Sequence, residues 1–242
     1  MRMIVEIWSD FACPFCYIGK KRFEMALNSF THKEQVKVIY RSYQLDPYAP
    51  QNQSKDIHAS LAEKYGMTYE QAKAMGEQVA MQAKEVGLDF QFDTMILTNT
   101  FAAHRLSHFA KKLGKMDELV ERLLYGYFTE SKNLGDYETL VQFAKELGID
   151  SEETKRVLNE GSYTEEVQYD QKVAAQIGIK GVPFFVFNEK YAVSGAQSPD
   201  MFLEVLEKVQ NEQQQLVPLE IVNEKENKSA KTEYCSGDSC KL

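Results

Sequence analysis

No stretch of this chain approaches the roughly 18 consecutive apolar residues that a membrane-spanning helix requires. Positive charge is also short: 28 Lys and Arg stand against 36 Asp and Glu, a net charge of -8. No nucleic-acid or anionic-membrane surface is therefore expected. The opening MRMIVEIWSDFACP lacks a long apolar core and a small-residue cleavage site, and Glu6 interrupts it. It reads as the first β-strand of a cytoplasmic protein. Cysteine is scarce: four in 242 residues are too few for a disulfide scaffold. In a reducing compartment, paired cysteines are more often catalytic or metal-binding than structural. What is present, 43% hydrophobic and 26% charged residues, suits a soluble globular chain able to bury a sizeable core in one large domain or two smaller ones.

MIVEIWS (residues 3–9) is β-branched and aromatic, as a strand should be. From Tyr17 to Phe30 the apolar residues fall near a helical period, interleaved with Lys20, Lys21, Arg22 and Glu24. Pro14 is suited to the first helical turn, where its missing N–H costs nothing. VKVIYRSY (36–43) is a second strand candidate, so strand, helix and strand imply a parallel pair with a crossover. From Ser54 to Ile177 the signals are almost entirely helical, with Ser54 and Asp56 as caps, Gly66 and Gly87 as breaks, and DFQF as a short strand. Strands return at VPFFVF (182–187) and YAVS (191–194), joined by a turn at Asn188–Glu189–Lys190. A last helix starts at Pro199 behind Ser198. The expected architecture is α/β, with residues 1–53 and 178–216 as one discontinuous domain. Residues 54–177 are read as an all-helical insertion, and 217–242 as a mobile tail.

Cys13 and Cys16 sit two residues apart where a strand gives way to a helix. A zinc site would need further ligands, and Cys235 and Cys240, four residues apart in a polar tail, are poor partners. A structural disulfide is disfavoured in the cytosol. Redox chemistry fits better, because the nucleophile is a thiolate and a helix N-terminus favours negative charge. Cys16, one turn on, is placed to resolve a mixed disulfide. Far away, GIKGVPFFV sets Pro183 directly before a strand, where a trans proline at the strand start is the ordinary expectation and a cis Val182–Pro183 bond the special one. His104 reads as a packing or hydrogen-bonding residue at the domain junction; with His108 it could form a metal pair, but no third ligand is in view. Trp8 reads as strand core or a lining of the site, and Phe184, Phe185 and Phe187 as sheet core.

SDFACPFCYIGK, NTFAAHRL (99–106), GDYETL (135–140) and GIKGVPFFVFNEKYAVSGAQ (178–197) together resemble the DsbA-like thioredoxin-fold family, and most closely its FrnE-like cytosolic branch. That resemblance implies a thioredoxin-like fold interrupted by helices that cap the active site. It makes Cys13 the exposed attacking thiol and Cys16 the buried resolving one. Val182–Pro183 becomes a cis-proline loop that offers backbone groups to a substrate chain. Pro14, Phe15 and His104 would border the substrate. The implied activity is cytosolic thiol–disulfide exchange or isomerisation on protein or small-molecule disulfides, drawing on cytosolic thiol reductants. No cofactor is implied beyond glutathione as a redox partner, and no metal. Relatives that act as glutathione-dependent transferases or isomerases carry serine at the position of Cys13, so disulfide chemistry is favoured. The pair lacks the intervening histidine of the strongly oxidising periplasmic enzyme, so a less oxidising potential is expected. Some members of the branch carry a C-terminal C-x4-C, which makes Cys235 and Cys240 a candidate second redox pair; the alternative is an inert or adventitiously zinc-binding tail. A zinc-holding or chaperone-like binding protein is the reading from a different class, and a homodimer through an apolar helical face stays open.

Overall fold

A computed structural model describes residues 2–51 and 56–215. Strand β1 (Met3–Ser9) leads through α1 (Pro14–Ser29) to β2 (Val36–Ser42), which lies parallel to β1 with Val5 opposite Val38. The chain then runs through α2 (Ile57–Tyr65), α3 (Tyr69–Glu85), α4 (Phe101–Lys112), α5 (Met116–Phe128), α6 (Tyr137–Glu146), α7 (Ser151–Asn159) and α8 (Thr164–Gln176). It returns to the sheet as the hairpin β3 (Phe184–Phe187) and β4 (Tyr191–Ser194), then ends in α9 (Pro199–Gln215). The sheet order is β2-β1-β3-β4, with β3 antiparallel to both β1 and β4. This is the thioredoxin-like α/β architecture with a helical insertion. Among the described residues no helix is long and apolar enough to cross a membrane.

Period-two alternation in β1 explains how the sheet is covered on both faces. Met3, Val5 and Ile7 are buried towards α1 and α9, where Phe23 meets Phe185 and Phe202 with ring centroids 5.6 Å away. Trp8 faces the other side and packs with Ala174 and Ile179, its indole N–H donating to the Asp170 carbonyl at 3.1 Å. α8 therefore lies on the sheet as well as against α4. The insertion shares its core with the sheet domain: Tyr17 of α1 packs near Phe90 and Phe128 and donates its hydroxyl to Glu121 at 2.7 Å.

Local signals act where their chemistry predicts. Asp56 caps α2 by accepting from Ala59 N–H at 2.9 Å, whereas Ser54 lies outside the described residues. In the three-residue connection 188–190, Asn188 and Glu189 both take positive φ and Lys190 N–H donates to the Phe187 carbonyl at 3.0 Å. Ser198 accepts from Met201 N–H at the start of α9. Two expectations are corrected. DFQF is no strand: 89–91 is irregular and Phe92–Thr94 is a short 3-10 turn. Its aromatics serve burial instead, Phe90 stacking on Phe128 at 4.6 Å while Gln91 N–H donates to the Phe128 carbonyl. β3 begins at Phe184 rather than Val182, since 181–183 forms a bend.

Candidate active site

After β1 the chain turns tightly, with Cys13 N–H donating to the Asp10 carbonyl at 3.1 Å. This leaves Cys13 as the N-cap of α1, in extended geometry (φ -95°, ψ 112°), with Pro14 at the first helical position. No side chain caps the helix and no acidic residue occupies its first turn. The Cys13 sulfur thus sits where a helix favours negative charge. Its thiol donates to the Val182 carbonyl at 3.5 Å, across 169 residues of sequence. The Val182–Pro183 bond is cis, so the exceptional form of that proline is the one found. Phe15, beside the pair, is exposed.

Cys16 lies one turn deeper, and its sulfur accepts from Asp10 N–H at 3.4 Å. Burial pushes its thiol well above the ordinary cysteine range, and the adjacent Cys13 adds to this; the Ser9 hydroxyl and the Asp10 amide act in the other direction. Cys16 therefore holds its proton until a partner draws it off. Cys13 itself is only 4% exposed, which corrects the expectation of an exposed attacking thiol. The cause is the Val182–Pro183 loop, which closes over the sulfur from the far end of the chain.

Residues 4–207 match the family model described as the DSBA-like thioredoxin domain. The chain belongs to that family. A solved structure of a probable DsbA oxidoreductase from Streptomyces coelicolor is 40% identical, with TM-score 0.84 over 92% of this chain and 94% of that one. The Bacillus subtilis protein YwbO is 26% identical over 204 residues, 84% of this chain and 94% of its own. The cytosolic disulfide reductase DsbM of Pseudomonas aeruginosa, solved with GSH, shares the fold at 14% identity and TM-score 0.60, over 86% of this chain and 99% of that one.

In this DsbA-like chain the helical insertion reaches the cysteine loop through Asp10. The Asp10 carboxylate is buried; one oxygen accepts from Thr100 Oγ1 at 2.7 Å and faces His104 Nε2 at 3.3 Å. The other accepts from Leu45 N–H at 2.7 Å. Burial pushes this acid up, but His104, Leu45 and Thr100 together more than offset it and hold the carboxyl below its usual range. His104 hydrogen-bonds at the junction, its ring 4.7 Å from Phe11, and its burial sets it behind Asp10 instead of bordering the substrate as the resemblance implied. His108 turns elsewhere, to Ser42 Oγ and Asp170 Oδ2, each at 3.1 Å. The two histidines consequently share no ligand position, and among the described residues no group of three or more His, Cys, Asp or Glu could hold a metal ion. Asp10, Ser9, Thr100 and Leu45 went unassigned from sequence. The only signal was the position of Asp10 three residues before Cys13 and of Thr100 inside NTFAAHRL. Cys235 and Cys240 lie outside the described residues.

Proposed function

We propose that this protein is a cytoplasmic thiol–disulfide oxidoreductase or isomerase in which Cys13 attacks and Cys16 resolves. The observation that carries the reading is the asymmetry of the pair. Both sulfurs are covered, but one stands at an uncapped helix N-terminus facing the Val182 carbonyl, and the other lies one turn deeper with its thiol pushed well above the ordinary cysteine range. A substrate strand would run past the Val182–Pro183 loop, with Phe15 and Pro14 forming the rim beside Cys13. Glutathione is proposed as the reductant, in keeping with the fold shared with a cytosolic disulfide reductase solved with that tripeptide.

The test is the equilibrium potential of the Cys13–Cys16 pair, by glutathione titration with alkylation and mass readout, in a variant carrying Cys235→Ser and Cys240→Ser. A strongly oxidising pair owes its potential to a stabilised reduced form. Here the Val182 carbonyl accepts from a thiol but can donate nothing to a thiolate, and Pro14 and Phe15 add no side-chain donor. A potential between about -270 and -180 mV is expected; one near about -120 mV would make the protein an oxidant instead.

The tail supplies a second step in this proposal. Cys235 or Cys240 exchanges with the Cys13–Cys16 disulfide and passes its oxidising equivalents onward. Replacing both by serine is expected to slow turnover of protein disulfides severalfold. Steady-state rates indistinguishable from those of the unmodified chain would remove the relay.

A further inference from the structure

We propose that Gly19 and Arg22 are positioning residues that set the width of the cleft between Cys13 and the Val182–Pro183 loop, and so govern how an extended substrate docks. The proposal rests on the reading of Cys13 and Cys16 given above.

Glycine in a helix interior is unfavourable relative to alanine, so a buried one needs a reason. For Gly19 the reason is contact. A Cβ there would lie 3.0 Å from Cγ of Pro183 and 3.4 Å from both Cα and Cβ of Ala196. The helix that begins at the cysteines therefore rests, one turn past Cys16, directly on the proline ring and on the β4–α9 connection. One turn further on, Arg22 Nη1 donates to the Ala196 carbonyl at 2.6 Å, while its other terminal nitrogen lies 3.6 Å from Glu85 of α3. The circuit closes through Gly195, whose N–H donates to the Pro183 carbonyl at 2.8 Å. The proline loop and the β4–α9 connection, the latter 174 residues along the chain from Arg22, are thereby fixed to one face of α1.

The softer side of this contact is the loop. α1 is anchored by Ile18 and Phe23 in the core, whereas residues 180–182 are outside any strand and a Cβ at Gly181 would touch nothing within 4 Å. A methyl at position 19 would therefore push Pro183 and Val182 away from α1 by a few tenths of an ångström, lengthening the contact between the Cys13 sulfur and the Val182 carbonyl. An extended peptide pairing with the loop backbone would feel that shift, because its disulfide must reach Cys13 while its main chain is held. A small disulfide, which makes no such pairing, would not.

The experiment uses the full-length chain with glutathione as reductant and two substrates, a disulfide-bonded peptide and a small aromatic disulfide. Gly19→Ala is expected to raise the peptide KM about fivefold with kcat nearly unchanged, and to leave kcat/KM for the small disulfide within about twofold. Arg22→Met should act in the same direction, and Arg22→Lys, which keeps a donor, should recover part of the loss. An unchanged peptide KM in both Gly19→Ala and Arg22→Met overturns the proposal. So does an equal loss on both substrates, which is the mark of a merely structural defect. Absence of turnover by the unmodified protein would overturn the oxidoreductase reading itself, and is read before any variant.

Discussion

Cys13→Ser is expected to lower turnover of a disulfide substrate at least about a thousandfold, while Cys16→Ser halts the reaction halfway and accumulates a covalent adduct. The chemistry has two exchanges. The Cys13 thiolate attacks one substrate sulfur, the substrate S–S bond breaks, and the other half leaves as a thiolate. Cys16 then gives up its proton and attacks the Cys13 sulfur, releasing the second half; two electrons have passed to the substrate and the protein holds a Cys13–Cys16 disulfide. Removing Cys13 takes away the nucleophile at the helix N-terminus, and Cys16 cannot replace it, because it lies one turn deeper and burial and its surroundings hold its thiol protonated. Removing Cys16 leaves the first exchange intact, and in a chain that also carries Cys235→Ser and Cys240→Ser, assayed without glutathione, no thiol of the protein remains to finish it. Intact-mass spectrometry under non-reducing conditions separates these outcomes. A Cys16→Ser protein that carries no substrate mass, or a Cys13→Ser protein that still turns over, would sink the assignment.

Asp10→Ala should be the most damaging substitution away from the cysteines. It removes a buried carboxylate shared by three segments and leaves Thr100, His104 and Leu45 N–H without their acceptor. Breaking one side of a buried ionic or hydrogen-bonded pair costs about 3–5 kcal/mol. At about 2–4 °C per kcal/mol for a chain of this size, the melting temperature should fall by about 6–20 °C. The pH dependence has a definite sign. The Asp10 carboxyl is held below its unfolded value, so its contribution is complete above the ordinary carboxylate range and is lost as pH falls through the folded value. Thermal melts of the unmodified protein should therefore decline from about pH 5 downwards, and those of Asp10→Asn more shallowly. A melt of Asp10→Ala within about 2 °C of the unmodified protein at neutral pH would show that the network contributes little.

Much of the scaffold was legible because its signals are local. Pro14 at a helix start, Asp56 as a cap and the Asn188–Glu189 turn each act over a few residues. The cysteine spacing and the lone proline before β3 pointed to the site for the same reason. What escaped was everything decided by distant partners. Lys20 looks like one more polar residue on an amphipathic helix, yet it is buried because Glu24, Glu121 and Asp117 surround it. DFQF alternates like a strand, but its neighbours are helices, and an aromatic ring beside α5 decided its conformation. Asp10 became identifiable as a junction only when α4 arrived with Thr100 and His104, 90 and 94 residues away. The burial of Cys13 was hidden similarly, since the carbonyl over its sulfur belongs to Val182.

That last separation bears on when the protein becomes competent. A ribosome makes the two cysteines before the loop that completes their site, which follows Cys13 by 169 positions. At the usual elongation rates, about 5–20 residues per second, roughly 10–30 s pass between the two. For most of that interval, once β2 has been made, β1 can pair with β2 but lacks β3, and the cysteines lie in a nascent segment without their cover. The pairing that ends this state joins the termini of the fold, a contact of very high order and therefore a late one. A chain truncated before the loop would keep both thiols but not the site, so this geometry ties organised thiol chemistry to the arrival of residues 181–183 and the strand behind them.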